Sequence, residues 1–176
     1  MEEEATIRYE TAPGRQMQID FGEKRMLIGE EWVKVHLFTA TLGYSRRQYV
    51  KAFASETQAS WFEGTEEALR YFGGVPMEVL ADNAKALVKS HNASSGELTL
   101  NERFKALGAY YGFQIKACMP RASRTKGKVE RYVGYGKNNG LAGRQFKSHE
   151  ELSAHILQWM REVADVHVVS QPEKRQ

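Results

Sequence analysis

The stretch Gln16-Met17-Gln18-Ile19-Asp20-Phe21 alternates polar and apolar side chains, which predicts a β-strand with one buried face. Gly22 and the polar residues after it predict a turn. Residues 33–42 alternate again and are rich in β-branched side chains, so they predict a second strand. The chain is expected to turn at residues 43–46 and to return as a third strand over residues 48–53. The beginning of the fold is therefore an antiparallel meander of three strands.

Beyond residue 60 the hydrophobic period changes from two to about 3.6 residues, which indicates helices. Apolar residues recur at helical spacing from Trp61 to Phe72, and Gly73-Gly74 ends this helix. The polar residues 90–96 predict a mobile connection. The remaining patterns predict, in order, a strand over residues 76–81, a helix from Asn101, a strand over residues 113–119, a helix over residues 125–139, and a helix opened by a capping box at residues 148–151.

This order of elements predicts the α/β class, with a mixed five-stranded sheet flanked by helices. Three antiparallel strands come first, and two βα units follow them. The same order is found in ribonuclease H-like folds, although a fold by itself does not establish a function.

The composition is that of a globular protein: 41% of the 176 residues are hydrophobic and 27% are charged. No run of 18 apolar residues predicts a membrane span, and the acidic start of the chain does not resemble a secretory signal. The single cysteine, Cys118, excludes an internal disulfide and a cysteine-based zinc site. The five histidines show no metal-ligand spacing, and His36 is expected to be structural. These features predict a cytoplasmic protein.

Positive charge is concentrated in one segment. The net charge is only +3, but residues 114–147 contain nine basic residues and a single acid, Glu130. Such asymmetry is expected of a surface that binds a phosphate backbone, although a solvated basic surface is the simpler alternative. Six of these residues are predicted to bind DNA: Arg121, Arg124, Lys126, Lys128, Arg131 and Lys137.

Three acidic residues are candidates for a catalytic site. Asp20 interrupts an apolar strand, Asp82 ends the strand over residues 76–81, and Glu130 lies in a predicted helix. Burying a carboxylate is costly without a partner, and neighbouring first and fourth strands would bring Asp20 and Asp82 together. Each acid alone has a simpler interpretation. Asp20 could be an edge-strand acid paired with a lysine, Asp82 could cap a turn, and Glu130 could pair with Lys126.

Three converging carboxylates favour bound cations, because they otherwise repel one another. Hard oxygen ligands suit Mg²⁺, and two such ions about 3.5–4 Å apart can activate an attacking oxygen and stabilise a leaving one. The predicted cofactors are therefore two Mg²⁺ ions, with Mn²⁺ as a substitute. Asp20 is predicted to bridge both ions, Asp82 to hold one, and Glu130 to hold the other.

A series of short motifs resembles the catalytic domain of IstA-type insertion-sequence transposases, in the DDE and retroviral-integrase superfamily. The similarity covers nearly all of residues 10–165. Gly140 departs from it, because relatives usually have a bulky apolar residue there. The matching motifs are Pro13-Gly14-Arg15-Gln16, Gln18-Ile19-Asp20-Phe21-Gly22, Leu42-Gly43-Tyr44-Ser45-Arg46, Tyr71-Phe72-Gly73-Gly74-Val75-Pro76, Asp82-Asn83, Tyr111-Gly112-Phe113, Arg124-Thr125-Lys126-Gly127-Lys128-Val129-Glu130, Gly134-Tyr135 and Lys137-Asn138-Asn139.

The resemblance implies a ribonuclease H-like polynucleotidyl transferase with Asp20, Asp82 and Glu130 as its catalytic, metal-binding triad. It implies cleavage of a donor DNA strand and attack of the freed 3′-hydroxyl on target DNA. It also implies a partner AAA+ ATPase, self-association in the full-length assembly, and a nucleoid-associated protein of the bacterial cytoplasm.

The sequence predicts one catalytic domain with a short segment on each side, and it leaves two alternative functions open. Residues 1–12 are expected to be an arm or linker, residues 13–166 the catalytic domain, and residues 167–176 an irregular tail. A metal-dependent nuclease of the same fold is one alternative function. A catalytically silent DNA-binding or assembly module is the other.

Overall fold

The computed structural model describes residues 14–82, 87–91, 94, 98–118 and 145–164. The elements in these residues are β1 (Gln16–Ile28), β2 (Glu31–Leu42), β3 (Gln48–Phe53), α1 (Gln58–Phe72), β4 (Glu78–Asp82), β5 (Val88–His91), β6 (Leu98–Leu100), α2 (Glu102–Tyr111), β7 (Gln114–Cys118) and α3 (His149–Trp159). A π-helical turn, Met160–Ala164, continues α3. Within the described ranges, no helix is long and apolar enough to cross a membrane.

Five strands form a mixed sheet in the order β3-β2-β1-β4-β7, in which β1 and β4 are neighbours as predicted. The pairs β1–β2 and β2–β3 are antiparallel, whereas β1–β4 and β4–β7 are parallel. The mixed five-stranded sheet with flanking helices is therefore confirmed. The strand β1 lies at its centre.

One local prediction was wrong, and one pair of strands was missed. The turn expected after Gly22 does not form, because β1 continues to Ile28 and pairs with β2 along its whole length. Met26 and Ile28 are buried in this second half of β1, which stabilises the longer strand. The strands β5 and β6, which the sequence did not predict, pair antiparallel with His91 opposite Leu98. Of the mobile connection predicted over residues 90–96, the structure describes only residues 90, 91 and 94.

The helix α1 begins and ends as its sequence predicts, and it packs closely on the sheet. The Thr57 side chain caps the first turn by accepting from the backbone N–H of Ser60, and Gly73 ends the helix with a left-handed φ of 72°. Gly64 faces the ring of Phe38, and a Cβ at this position would lie 2.7 Å from that ring. Only glycine permits this approach of helix to sheet.

Aromatic side chains fill the space between α1 and the sheet. The ring of Phe21 lies 4.8 Å from that of Trp61 and 5.4 Å from that of Phe38, both with edge-on geometry. Trp61 and Phe38 are fully buried. Because Phe21 directly follows Asp20, this packing holds the middle of β1 in place.

The helix α3 is capped as predicted and protects an edge of the sheet. The Ser148 hydroxyl accepts from the backbone N–H of Glu151 at 3.2 Å, which confirms the N-terminal cap. At the other end, the backbone N–H of Val50 in edge strand β3 donates to Sδ of Met160 at 3.1 Å. This contact covers a strand edge that would otherwise offer a free N–H. The helix predicted over residues 125–139 lies outside the described residues.

Candidate active site

Asp20 lies on the central strand of the sheet, so the interpretation of it as an edge-strand acid was wrong. Its neighbours on the two sides are β2 and β4, and it pairs with Thr39 on β2. Asp20 is half-buried, whereas Ile19 is fully buried and Thr39 is only 3% exposed. Desolvating a carboxylate on the central strand of a sheet costs free energy unless a partner compensates for it. The position of Asp20 in the sheet therefore supports a functional role for it more strongly than the sequence alone does.

Asp20 and Asp82 lie at matching positions of two adjacent parallel strands. The last pair in the register of β1 and β4 is Ile19 with Ala81, and each acid is the next residue on its strand. Neighbouring strands are separated by about 4.8 Å, so the two backbones are close here. Asp82 is also the last residue of β4, where it pairs with Cys118 of β7. The parallel register therefore brings together the first two predicted site residues.

The strand β1 separates from β4 at Asp20. Beyond the pair Ile19–Ala81, β4 ends at Asp82, while β1 continues to Ile28 with β2 as its partner. In open α/β sheets, ligands bind beyond the carboxyl ends of parallel strands. The end of β4 beside Asp20 is such a place.

The local geometry of Asp20 fixes one of its carboxylate oxygens. Its Oδ1 accepts a hydrogen bond from the backbone N–H of Phe21 at 2.8 Å. Successive residues of a strand point to opposite faces, so Asp20 lies on the face opposite the aromatic cluster around Phe21. The packing of Phe21 on Trp61 thus sets the direction of its acidic neighbour.

A second carboxylate fixes the register of the same strands. At the start of β4, Glu78 accepts from Nε2 of Gln16 on β1 at 2.7 Å and pairs with Nζ of Lys116 on β7 at 3.0 Å. Burial raises the pKa of Glu78, but the contacts from Lys116 and Gln16 outweigh burial and hold the pKa below its usual value. Glu78 therefore joins three adjacent strands four residues before Asp82.

The third predicted acid and the predicted DNA contacts lie elsewhere in the chain. Glu130 falls within residues 119–144, outside the described residues. The same is true of Arg121, Arg124, Lys126, Lys128, Arg131 and Lys137. The structure thus relates Asp20 to Asp82, while the role of each residue stays a prediction.

A second group of possible ligands has no counterpart in the sequence analysis. One ligand atom each from Glu23, His36 and Glu56 lies within 4.8 Å of the others. Glu23 pairs with His36 across the β1–β2 hairpin, and Glu56 directly precedes Thr57, the capping residue of α1. No short spacing relates these three positions, so the tertiary structure alone reveals the group.

Comparison with known proteins places the chain in a family. Residues 10–123 match the family described as "Integrase core domain". The chain is 42% identical over 161 residues to a putative transposase for insertion sequence element IS5376 of Geobacillus stearothermophilus, covering 91% of this chain and 40% of that protein. It is 39% identical over 175 residues to the transposase for IS21 of Pseudomonas aeruginosa, covering 97% of this chain and 44% of that protein. The chain therefore spans about half, or less, of the length of these relatives.

Solved structures show the same fold. The catalytic core domain of HTLV-2 integrase, in a complex with magnesium, aligns with a TM-score of 0.54 and 16% identity over 86% of both chains. A chain of a simian T-cell lymphotropic virus intasome aligns with a TM-score of 0.62 and 14% identity, over 93% of this chain and 57% of that chain. These alignments confirm the ribonuclease H-like fold. The family match over residues 10–123, more than half of the chain, shows that the chain belongs to the integrase core domain family.

Proposed function

We propose that this chain is the catalytic core of a DDE transposase, a metal-dependent polynucleotidyl transferase that cuts a DNA strand and joins its 3′-hydroxyl to a target. The observation that carries the proposal is the β1–β4 register, which sets Asp20 and Asp82 side by side on central strands. Family membership and the transposase relatives support the same activity.

The donor set of the proposed site suits hard divalent ions. Asp20, Asp82 and Glu130 would hold Mg²⁺, because carboxylate oxygens are the ligands this ion prefers. When bound, the ions supply electrophilic activation of a phosphate and stabilise the attacking and leaving oxygens. The hydrogen bond from the Phe21 N–H to Asp20 Oδ1 orients this carboxylate before any ion arrives.

The proposed function requires binding to DNA and to further proteins. Arg121, Arg124, Lys126, Lys128, Arg131 and Lys137 would position the phosphate backbone, which fixes orientation without reading sequence. Transposon ends and target DNA are the proposed substrates. A full-length protein would self-associate and act with an AAA+ ATPase on DNA in the bacterial nucleoid. Residues 13–166 are the proposed catalytic domain, between an arm over residues 1–12 and a tail over residues 167–176.

Metal binding tests the triad most directly. We would titrate Mg²⁺ by calorimetry into the wild-type chain and into Asp20→Asn, Asp82→Asn and Glu130→Gln. The control is Glu30→Gln, which changes an exposed carboxylate in the turn between β1 and β2 that is not a member of the triad. The proposal expects each triad variant to lose binding while remaining folded by circular dichroism, and the control to bind normally. Unchanged binding in the triad variants would contradict the site.

Reaction products separate the two enzyme functions. A labelled DNA with a free 3′-hydroxyl end is incubated with a target plasmid, Mn²⁺ and the protein. A transposase core covalently joins the label to the plasmid, and Asp20→Asn abolishes the joined product. A nuclease releases fragments without joining them. Absence of both products and of metal binding, even with DNA present, would instead indicate a silent module.

A further inference from the structure

The group formed by Glu23, His36 and Glu56, here called the hairpin cluster, combines an imidazole with two carboxylates. Its members come from three elements: β1, β2 and the segment that leads into α1. Nδ1 of His36 is buried and makes no hydrogen bond, although the side chain retains 14% exposure. A buried nitrogen without a hydrogen-bond partner is unfavourable, so this atom favours a ligand that can reach it.

The spacing within the cluster fits a metal ion better than a hydrogen bond. Nδ1 of His36 lies 3.6 Å from Oε1 of Glu23, which is too long for a hydrogen bond. Two ligand atoms about 2.1 Å from a tetrahedral ion are separated by about 3.4 Å. Small rotamer adjustments bring a Glu56 oxygen to the same separation, because all three ligand atoms already lie within 4.8 Å.

The neighbours of the cluster leave ligand oxygens accessible. Nζ of Lys34 pairs with Oε2 of Glu23 at 2.8 Å, so it holds the carboxylate by the oxygen that does not face His36. Burial raises the pKa of the Glu56 carboxyl, His36 opposes that rise, and the Glu23 carboxylate adds to it. A bound cation would relieve the repulsion between the two carboxylates. Glu23 and Glu56 are both exposed, which leaves room for the water that completes a coordination shell.

We propose that Glu23, His36 and Glu56 bind one transition-metal ion of the Zn²⁺ class, separately from the acids proposed for catalysis. Imidazole nitrogen favours Zn²⁺ and its neighbours in the transition series, whereas sites made only of oxygen favour Mg²⁺. Glu23 is three residues from Asp20 on β1, so strand alternation puts the two on opposite faces of the sheet.

The bound ion links the start of α1 to the β1–β2 hairpin. Glu56 precedes the cap of α1, while Glu23 and His36 belong to a continuous antiparallel pair. Binding to the folded state alone stabilises a protein in proportion to the logarithm of ligand concentration. The ion therefore raises the melting temperature of the wild-type chain in a concentration-dependent way.

The test is a Zn²⁺ titration by calorimetry in the presence of excess Mg²⁺, with Co²⁺ absorption as a spectroscopic probe of nitrogen and oxygen ligation. Variants His36→Gln and Glu56→Gln are compared with the matched controls His149→Gln and Glu30→Gln, which change exposed residues outside the cluster. We expect one Zn²⁺ per wild-type chain and per control. Each cluster variant should lose at least about tenfold in affinity and lose the Zn²⁺-dependent rise in melting temperature.

The outcomes distinguish this inference from the proposed catalytic function. Asp20→Asn should keep full Zn²⁺ affinity whether or not it abolishes DNA joining. The inference is overturned if the wild-type chain binds no Zn²⁺, or if both cluster variants bind it as tightly as wild type. If His36→Gln fails to fold, Glu56→Gln decides, since its exposed position before α1 tolerates the change.

Discussion

Two acidic regions share strand β1, and they differ in how the fold assembles them. The backbones of Asp20 and Asp82 lie close together because β1 and β4 are parallel and in register up to Ile19 and Ala81. Glu23 and His36 meet because β1 and β2 are antiparallel, and Glu56 joins them from the segment before α1. The first region would offer oxygen ligands at the end of a strand, and the second adds an imidazole whose Nδ1 is buried. One strand can therefore contribute residues to two acidic regions, because its partner strands differ along its length.

The largest expected effect is at the first region. Asp20→Asn preserves the shape of the side chain but removes its charge, so metal-dependent DNA joining should fall by roughly 1,000-fold or more. Single-turnover assays with a labelled 3′-hydroxyl end measure this rate. Calorimetry on the same variant should give an unchanged Zn²⁺ affinity at the hairpin cluster. A variant that joins DNA at the wild-type rate would break the comparison, because Asp20 would then have no catalytic role.

Gly64→Ala tests the packing that both regions share. The added Cβ would lie 2.7 Å from the buried ring of Phe38, which packs on Phe21 beside Asp20 and under the helix that follows Glu56. We expect a loss of about 1–3 kcal/mol in the free energy of unfolding, measured with urea. Gly74→Ala is the matched control, because nothing lies within 4 Å of its Cβ. Equal stability of the two variants would show that α1 is not seated this closely on the sheet.

Glu78→Gln tests the contacts that hold the parallel register. The folded-state pKa of Glu78 is below its ordinary value of 4.5, so its contribution to stability is present above that pH and lost as pH falls through the folded pKa. The variant should be about 0.5–1 kcal/mol less stable at pH 7. Its deficit should shrink below about pH 4.5, where wild type also loses the charge. Urea unfolding at a series of pH values measures this difference, and a deficit that stays constant into acid would contradict it.

The smallest expected effect is the change in stability caused by Glu56→Gln in the hairpin cluster, measured without and with Zn²⁺. The folded-state pKa of Glu56 is raised above 4.5, so its contribution is present below that pH and lost as pH rises through the folded pKa. Without metal, Glu56→Gln should therefore be a few tenths of a kcal/mol more stable than wild type at pH 7, a small gain because the group is exposed. With Zn²⁺ the order reverses. Thermal melts with chelator and with Zn²⁺ measure both. A Zn²⁺-dependent rise in melting temperature as large in Glu56→Gln as in wild type would contradict the cluster.

The predictions from sequence succeeded where a local pattern has one structural solution. Alternation over residues 16–21 and 33–42 identified β1 and β2, and the serine at 148 identified the start of α3. They failed where pairing overrides local polarity. Gly22 and the polar residues after it were predicted to form a turn, yet β1 continues there with β2 as its partner, and Met26 and Ile28 are buried. Burial and pairing energies of this kind are invisible in a short window of sequence.

The amino-acid sequence by itself determined the class of fold, the family resemblance and the choice of Asp20 and Asp82 as candidates, because periodicity and motifs are properties of neighbouring residues. Only the tertiary structure decided that Asp20 belongs to a central strand, that Asp82 follows the residue paired with Ile19, and that His36 lies beside two carboxylates. Contacts between β1 and β4 join residues that are far apart in the sequence; Gln16 and Glu78, for example, are separated by 62 positions. The order and register of the strands determine these contacts, and the local pattern of polar and apolar residues does not specify either one directly.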